Sequence, residues 1–213
     1  MGLNSYTDAH GVYRNKLGIT DAAQLNRVEY DITARRSREI LEQKVLGHVQ
    51  GFGLARQQAI HQHLFQDVYE WAGKLRTVPS SKRLEGGRVS VFADPDAFGP
   101  SWQALEQQTS AFVNATGWSF EQKRAALVDI FIEANRIHPF PEGNGRSLQV
   151  FMKALAREQD VELDYSQTNA QAWNRASALS GTHGRLFEHQ CLIADPPDPE
   201  PIKKIFAAIA SPA

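Results

Sequence analysis

A short stretch, HPFPEGNGRSL at residues 138–148, concentrates the side chains that could do chemistry. His138 carries an imidazole whose ordinary pKa of about 6.5 suits it to accept a proton near neutral pH. Glu142 could hold a hard cation such as Mg²⁺, which takes one or two carboxylates and completes its shell with water and phosphate oxygens. A base and a carboxylate this close together indicate phosphoryl-group chemistry.

The glycines of the same stretch precede a helical pattern. Unpaired backbone N–H groups at the start of a helix attract phosphate, and Gly143 and Gly145 permit the close approach or positive φ that such a site needs. Arg146 would add a charge-assisted contact from the first turn. From the residues alone, a second interpretation stays open: a flexible turn, with His138 merely ending the preceding helix, because short glycine motifs often match by chance.

Apolar residues at helical spacing predict the elements that must position this stretch. Helices are expected at about 22–42, 55–71, 102–114, 119–137, from 146 and after 168. The fourth should be capped by Ser119 with Gln122 in a capping box, and its apolar positions nearly encircle it, so it should be central. The sixth should begin after Thr168 with Gln171 at the same spacing. Trp71 and Trp102 are interpreted as packing residues.

One segment, at about 76–95, breaks the helical pattern. Gly86 and Gly87 lie between β-tolerant pieces around Val78 and in RVSVF, which predicts a β-hairpin on a helical body. The fold class is therefore an all-α bundle with one hairpin. The proline-rich stretch DPPDPEP at 195–201 is expected to be a spacer, so the domain should cover residues 1–194 and leave 195–213 as a spacer with a short apolar segment.

Composition bounds the class of protein. The chain has 213 residues, 42% of them hydrophobic, which suits one domain with its own core. A formal net charge of -1 argues against direct binding to nucleic acid or an anionic membrane. The first residues contain no apolar signal region, so a cytoplasmic protein is expected, with non-classical secretion left open. A single cysteine, Cys191, excludes an intrachain disulfide and a cysteine-based zinc site.

The stretch HPFPEGNGR also matches the signature of the Fic (filamentation induced by cAMP) family, H-x-F-x-[D/E]-G-N-G-R-x-x-R. Over roughly residues 10–190 the chain resembles this family, including YEWAGKLR before the hairpin and LDYSQTNAQAWNRAS after the signature. The resemblance implies a Fic-type helical bundle in which the hairpin acts as a flap. Within the family, the chain resembles the compact Fic toxins that belong to toxin–antitoxin pairs.

The resemblance implies transfer of AMP from ATP to a Tyr, Thr or Ser hydroxyl of a target protein, with release of pyrophosphate. His138 would deprotonate that hydroxyl, and Glu142 would hold the Mg²⁺ that bridges the α- and β-phosphates. Gly143, Asn144 and Gly145 would form the nest for the phosphates.

The same resemblance assigns further roles. Arg146 would steady the polyphosphate, and Asn174, beside Trp173, is a weak candidate for the adenine end. The flap would bind the target by strand addition. Lys82 on the flap is a candidate contact, although an exposed lysine is more often simply solvated. Phe140 is expected to plug the core.

This chain departs from the signature at its last position, where Gln149 replaces the second arginine. The loss of one charge-assisted bond is on the order of 1.5–3 kcal/mol. Two alternatives therefore stay open: transfer of another group, such as UMP, a phosphoryl group or phosphocholine, and a catalytically weak protein-binding module.

Inhibition within this family implies a partner. SKRLEG, at 81–86, matches the family's restraining-glutamate pattern but falls in the predicted hairpin, so we interpret the match as chance. Any inhibitor would then be a separate, antitoxin-like protein. His61 and His63 are too close on a helix to share a metal and are expected to be solvated or capped.

Overall fold

The fold is a helical body with small sheets, in a computed structural model that describes residues 6–186 and 192–213. The helices are α1 (Ala22–Gln43), α2 (Leu54–Phe65), α3 (Phe98–Val113), α4 (Phe120–Ile137), α5 (Asn144–Arg157), α6 (Ala170–Leu179) and α7 (Glu200–Ile209). The strands are β1 (Ser81–Arg83), β2 (Arg88–Val91), β3 (Val161–Leu163), β4 (His183–Leu186), β5 (Leu192–Asp195) and β6 (Ala210–Pro212). The predicted fold class is confirmed. Among the described helices, none has the length and apolar character needed to cross a bilayer. Cys191 lies outside the described residues.

Helix α4 is the centre of the bundle, as its apolar circumference predicts. It packs against α3, α5 and α7. The buried residues along it are Leu127, Val128, Ile130, Phe131, Ala134 and Ile137. Ser119 Oγ accepts from the Gln122 backbone N–H at 3.3 Å while the Gln122 side chain accepts from the Ser119 N–H at 2.8 Å, so the capping box is confirmed. Because α4 ends at Ile137, its last turn presents His138.

Four predicted helix boundaries were wrong. Helix α3 begins at Phe98, four residues before the predicted start at Trp102. Helix α2 ends at Phe65, not Trp71, because the chain tightens into turns that bury Tyr69 and stack it on Trp71 at 4.1 Å. Helix α5 begins at Asn144, two residues before the predicted start. The cap of α6 is Asn169, whose side chain accepts from the Ala172 N–H at 2.8 Å, one residue beyond Thr168.

The hairpin forms but belongs to a larger sheet. Strands β1 and β2 pair antiparallel, and β4 and β5 extend the sheet in the order β1-β2-β4-β5. The first strand begins at Ser81, later than the stretch around Val78 that the sequence indicated. Glu85 lies in the turn rather than on a long helix, as expected for SKRLEG. Strand β1 is therefore at the edge of the sheet formed by the described residues, and all of its residues are exposed.

The C-terminal segment packs into the same core. Ile202, Phe206 and Ile209 of α7 are buried. Strand β6 pairs with β3, and the Asp164 N–H donates to the Ile209 carbonyl at 2.8 Å. We therefore propose that the folding unit includes α7, rather than ending at residue 194.

Candidate active site

The loop between α4 and α5 is closed by one buried amide. Asn144 Oδ1 accepts from the Phe140 N–H at 2.9 Å, and Asn144 Nδ2 donates back to the Phe140 carbonyl at 2.8 Å. Gly143 caps α5 with φ of 79°, and a Cβ there would lie 2.3 Å from the Phe65 ring. A glycine is thus required at 143 both by its left-handed backbone and by the close packing of Phe65.

Helix α5 begins beside a cavity, and its first backbone N–H groups have no hydrogen-bond partner among the described residues. The first N–H that returns to the loop is that of Ser147, which donates to the Gly143 carbonyl at 3.0 Å. The N–H groups of Asn144, Gly145 and Arg146 precede it, and we call these three the amide cup. A Cβ built on Gly145 would have open space around it. Protein packing therefore leaves room beside the cup for a ligand, where the helix dipole favours an anion.

His138 stands at the opposite side of the loop, at the end of α4. Its backbone is left-handed, with φ of 49°, and its ring stacks on Phe92 with 3.6 Å between centroids. Burial, together with the positive charges of Arg76 and Lys82, lowers the pKa of His138 to about 3, and a hydrogen bond to the Asn135 carbonyl opposes this shift. The imidazole is therefore neutral at pH 7. One ring nitrogen donates to that carbonyl, and the other keeps a lone pair that can accept a proton.

His61 supports the loop from below, contrary to the expectation that it is solvated or capped. It is fully buried, its Nε2–H donates to the Glu142 carbonyl at 2.9 Å, and its Nδ1 accepts from the Gly73 N–H at 2.9 Å. The ring stacks on Phe140 with 3.8 Å between centroids, which agrees with the expected core position of Phe140. Burial lowers the pKa of His61 to about 3, so the loop rests on a neutral, fully paired imidazole. His63 instead pairs with Glu39 at 2.8 Å.

Arg146 is held between two carboxylates. Its guanidinium pairs with Glu29, lies 3.6 Å from Glu142 and sits 5.0 Å above the Phe65 ring. Glu29 belongs to α1, is 4% exposed and also accepts from the Tyr69 hydroxyl. Because a guanidinium has five donors, an Arg146 anchored on Glu29 still has N–H groups for a ligand in the cavity.

The donor set at Glu142 suits Mg²⁺. Its carboxylate is 44% exposed and lines the cavity beside the amide cup. Among the described residues there is no cluster of three or more potential protein ligands. One carboxylate next to a phosphate-binding cup is how Mg²⁺ is commonly held, with water and substrate oxygens completing its shell. The residues therefore fit that ion.

A cavity of about 720 Å³ joins these parts, a size in the usual range for a small-molecule ligand. It brings together every predicted site residue: His138, Glu142, Gly143, Asn144, Gly145, Arg146, Gln149 and Asn174. Lys82 of the flap also lines it. Trp173 lines the cavity but is buried, edge to face with Phe131 and Tyr165 at 5.0 Å, which supports a packing role.

Sequence reasoning missed His61, Glu29 and Phe92. A signal existed for the first two: Glu29 is four residues after Leu25 on the buried stripe of α1, and His61 follows Ile60 on that of α2. A charged or titratable residue on a core-facing stripe needs a buried partner. Phe92 gave no such signal, because its contact with His138 depends on how the flap folds back.

Comparisons with known proteins agree with the geometry. The sequence model of the Fic/DOC family matches residues 52–156. The chain is 36% identical over 178 residues to the protein adenylyltransferase VbhT of Bartonella schoenbuchensis, covering 82% of this chain and 35% of that protein. It is 33% identical over 171 residues to the probable protein adenylyltransferase y4lH of Sinorhizobium fredii, covering 76% and 79%. The chain thus spans about a third of VbhT and most of y4lH.

A solved structure shows the same fold. The N-terminal Fic domain of a VirB-translocated Bep effector protein from Bartonella quintana, with bound ADP, superposes with a TM-score of 0.77. The match covers 97% of this chain and 94% of that chain at 25% identity.

Proposed function

Because the chain belongs to the Fic/DOC family, we propose that it is a protein adenylyltransferase that moves AMP from ATP to a hydroxyl side chain of a target protein. Relatives named as protein adenylyltransferases cover most of the chain, and a domain of the same fold binds ADP. The observation that carries the proposal is the amide cup with a neutral imidazole across the same cavity.

His138 acts as the general base. The acceptor O–H bond breaks as the oxygen attacks the α-phosphorus, the bond from that phosphorus to the β-phosphate oxygen breaks, and pyrophosphate leaves. The proton goes to the imidazole nitrogen that keeps its lone pair. A bound polyanion nearby raises the pKa of His138 from its low value, because opposite charge favours the imidazolium. The base thus becomes a better proton acceptor when substrate is present.

The phosphates lie on the amide cup. Its N–H groups and Arg146 stabilise the negative charge that builds on the α- and β-phosphates. Glu142 would hold Mg²⁺, which would neutralise negative charge on the phosphates. Asn174, which also lines the cavity, would contact the adenosine end.

The target protein docks on the flap. Strand β1 is an exposed edge whose Lys82 lines the cavity that contains His138. An extended segment of the target can therefore pair with β1 and place its Tyr, Thr or Ser hydroxyl near the imidazole.

Labelled nucleotides test the reaction. The purified chain and its His138→Ala variant are incubated with Mg²⁺, a bacterial lysate and ATP labelled on either the α- or the γ-phosphate. We expect protein-bound label from α-labelled ATP only, and a loss of at least about 100-fold in the variant, as for removal of a general base. Equal labelling by both proteins, or no labelling by wild type with any nucleotide, would reject the proposal.

A second candidate rests on Gln149, which lines the cavity one helical turn beyond Arg146. A weaker grip on the third phosphate would favour another donor, so the same assay includes UTP, γ-labelled ATP and CDP-choline. Label from one of these donors would identify the transferred group as UMP, a phosphoryl group or phosphocholine. A flap that captures its target without any label would point to a binding module.

Regulation by a separate protein completes the proposal. In the described part of the chain, the only stretch matching a restraining-glutamate pattern lies on β1 and the turn after it. A small antitoxin-like partner would therefore supply the inhibition, and the enzyme would be the toxin of the pair. Action in the cytoplasm, where ATP is available as a donor, is part of this proposal.

A further inference from the structure

The buried guanidinium of Arg76 donates hydrogen bonds to several backbone carbonyls and so clamps separate segments of the chain together. It is 2% exposed and lies over the Phe98 ring at 4.8 Å. Its Nε donates to the His138 carbonyl at 2.8 Å, and its Nη1 donates to the Val78 carbonyl at 2.7 Å. Its Nη2 donates to the Ala93 carbonyl and, at 3.4 Å, to the Ile137 carbonyl.

These carbonyls belong to two different parts of the site. Ile137 and His138 form the end of α4, where helix carbonyls have no intrahelical partner and carry partial negative charge. Val78 and Ala93 are on the chain segments that enter and leave the flap. One guanidinium therefore ties the base of the flap to the backbone of the candidate general base.

Further contacts join the same two parts. The Arg76 N–H donates to the Pro139 carbonyl at 2.8 Å, and the Ala93 N–H donates to the Arg136 carbonyl at 3.0 Å. Phe92, which follows β2, stacks on the His138 ring. The guanidinium lies at the centre of this joint, since it contacts both flap segments and the carbonyls of Ile137 and His138.

We propose that Arg76 is a positioning residue that fixes the flap relative to His138, so that an acceptor hydroxyl carried on β1 meets the imidazole. This inference rests on the proposed function. Lysine cannot replace arginine here, because a single ammonium cannot direct donors to three separate segments as the planar guanidinium does. Arg76 is not among the described residues that line the nucleotide cavity, so it should act on transfer rather than on nucleotide binding.

Charge and geometry can be separated at this position. The groups that act on His138 are Arg76, Lys82, the Asn135 carbonyl and the surrounding protein that buries the ring. Arg76→Lys keeps a positive charge near the imidazole and loses the clamp. Arg76→Met loses both, so the pKa of His138 should rise toward its ordinary value only in this second variant.

Arg56 provides a matched control. Its guanidinium also donates to two backbone carbonyls, those of Gly51 and Val49, and also lies over an aromatic ring, Phe52, at 4.5 Å. It is not among the described residues that line the cavity. Arg56→Met should therefore lower thermal stability in a comparable way without touching the joint between flap and base.

The test compares wild type, Arg76→Lys, Arg76→Met and Arg56→Met. Measured for each are the affinity for Mg²⁺ with AMPPNP, the turnover of label transfer from α-labelled ATP, the NMR titration of His138, and hydrogen exchange of flap amides 80–92. For Arg76→Lys we expect unchanged AMPPNP affinity, an unshifted His138, faster flap exchange and a turnover about 100-fold lower, as for a small misplacement of reacting groups. Arg56→Met should transfer label at the wild-type rate.

Three results would overturn the proposal. Arg76→Lys could transfer label at the wild-type rate, or Arg56→Met could show the same loss of turnover at equal thermal stability. The loss of turnover in Arg76→Lys could also be explained by weaker AMPPNP binding. If wild type itself transfers no label, the proposed function fails instead. Hydrogen exchange of the flap amides then tests the role of Arg76 by itself. Unchanged exchange in Arg76→Lys would show that Arg76 does not fix the flap.

Discussion

At the scale of single residues, Gly143 and Gly145 at the start of α5 are glycines for different reasons. Gly143 has a left-handed backbone and touches Phe65, whereas Gly145 has open space where a side chain would be. The fold therefore requires a glycine at 143, and we propose that a bound ligand requires the glycine at 145.

Substitution by alanine should separate these roles. Gly145→Ala should fold with wild-type stability or slightly better and bind Mg²⁺ with AMPPNP at least about tenfold more weakly, since one lost charge-assisted contact accounts for that much. Gly143→Ala should lower the free energy of unfolding by about 2–5 kcal/mol, from backbone strain and overpacking. Urea unfolding and calorimetric titration measure the two quantities, and full affinity in Gly145→Ala would contradict the cup.

Gln149 supplies the second residue-scale prediction. On α5 it is three residues after Arg146 and lines the same cavity. Gln149→Arg should tighten binding of AMPPNP by about 10- to 100-fold, the equivalent of one recovered charge-assisted bond, and should affect AMP little. Gln149→Met serves as the uncharged control, and its affinity should stay near wild type. An equal gain for AMP and AMPPNP in Gln149→Arg would show that the residue does not face the outer phosphates.

At the scale of elements, the function depends on the free edge of β1. The Leu84 N–H donates to the Arg88 carbonyl, and the Phe92 N–H donates to the Ser80 carbonyl, so residues 80, 82 and 84 face β2. By the alternation of an antiparallel ladder, the N–H of Ser81 faces outward. That donor is available to an incoming strand.

Proline at this position should block the edge. Ser81→Pro removes an outward N–H without breaking the β1–β2 ladder, because proline is tolerated on edge strands. Label transfer to the protein target should fall about tenfold, because the target strand loses a main-chain hydrogen bond and cannot approach β1 closely. The affinity for AMPPNP should stay unchanged. Ser81→Ala, which keeps the N–H, should transfer normally. Normal transfer by Ser81→Pro would argue against strand addition.

The elements also show what sequence could and could not predict. The central helix, its capping box and the glycine-rich loop could be predicted, because their signals lie within a few residues of one another. The supports of the loop could not, because their partners are distant: His61 is 81 residues from Glu142, and Glu29 is 117 residues from Arg146. The way the helices assemble decides which of these polar groups are buried. Local sequence patterns do not contain that information.

At the scale of the whole molecule, two histidines with lowered pKa values, His61 and His138, couple stability to pH. Burial lowers the pKa of both His61 and His138 to about 3. Between that value and about 6.5, the unfolded chain binds protons at these positions and the folded chain does not, so acid favours unfolding. The stability that the two neutral histidines contribute is fully present above the pKa of an unfolded histidine, and it is lost as the pH falls below that value.

The free energy of unfolding should therefore fall by about 2 kcal/mol per histidine between pH 7 and pH 5. Urea titrations across this range measure it, at pH values above most carboxylate titrations. His138→Ala should show roughly half the wild-type slope, since only His61 then remains. An identical slope in both proteins would mean that His138 is readily protonated in the fold.

The proposed reaction requires that phosphate binds at the amide cup beside an unprotonated imidazole. A crystal structure with Mg²⁺ and AMPPNP tests this most directly. We expect phosphate oxygens within about 3.2 Å of the N–H groups of Asn144, Gly145 and Arg146, with the α-phosphate facing His138. A nucleotide bound elsewhere, or one whose phosphates avoid the start of α5, would contradict the account.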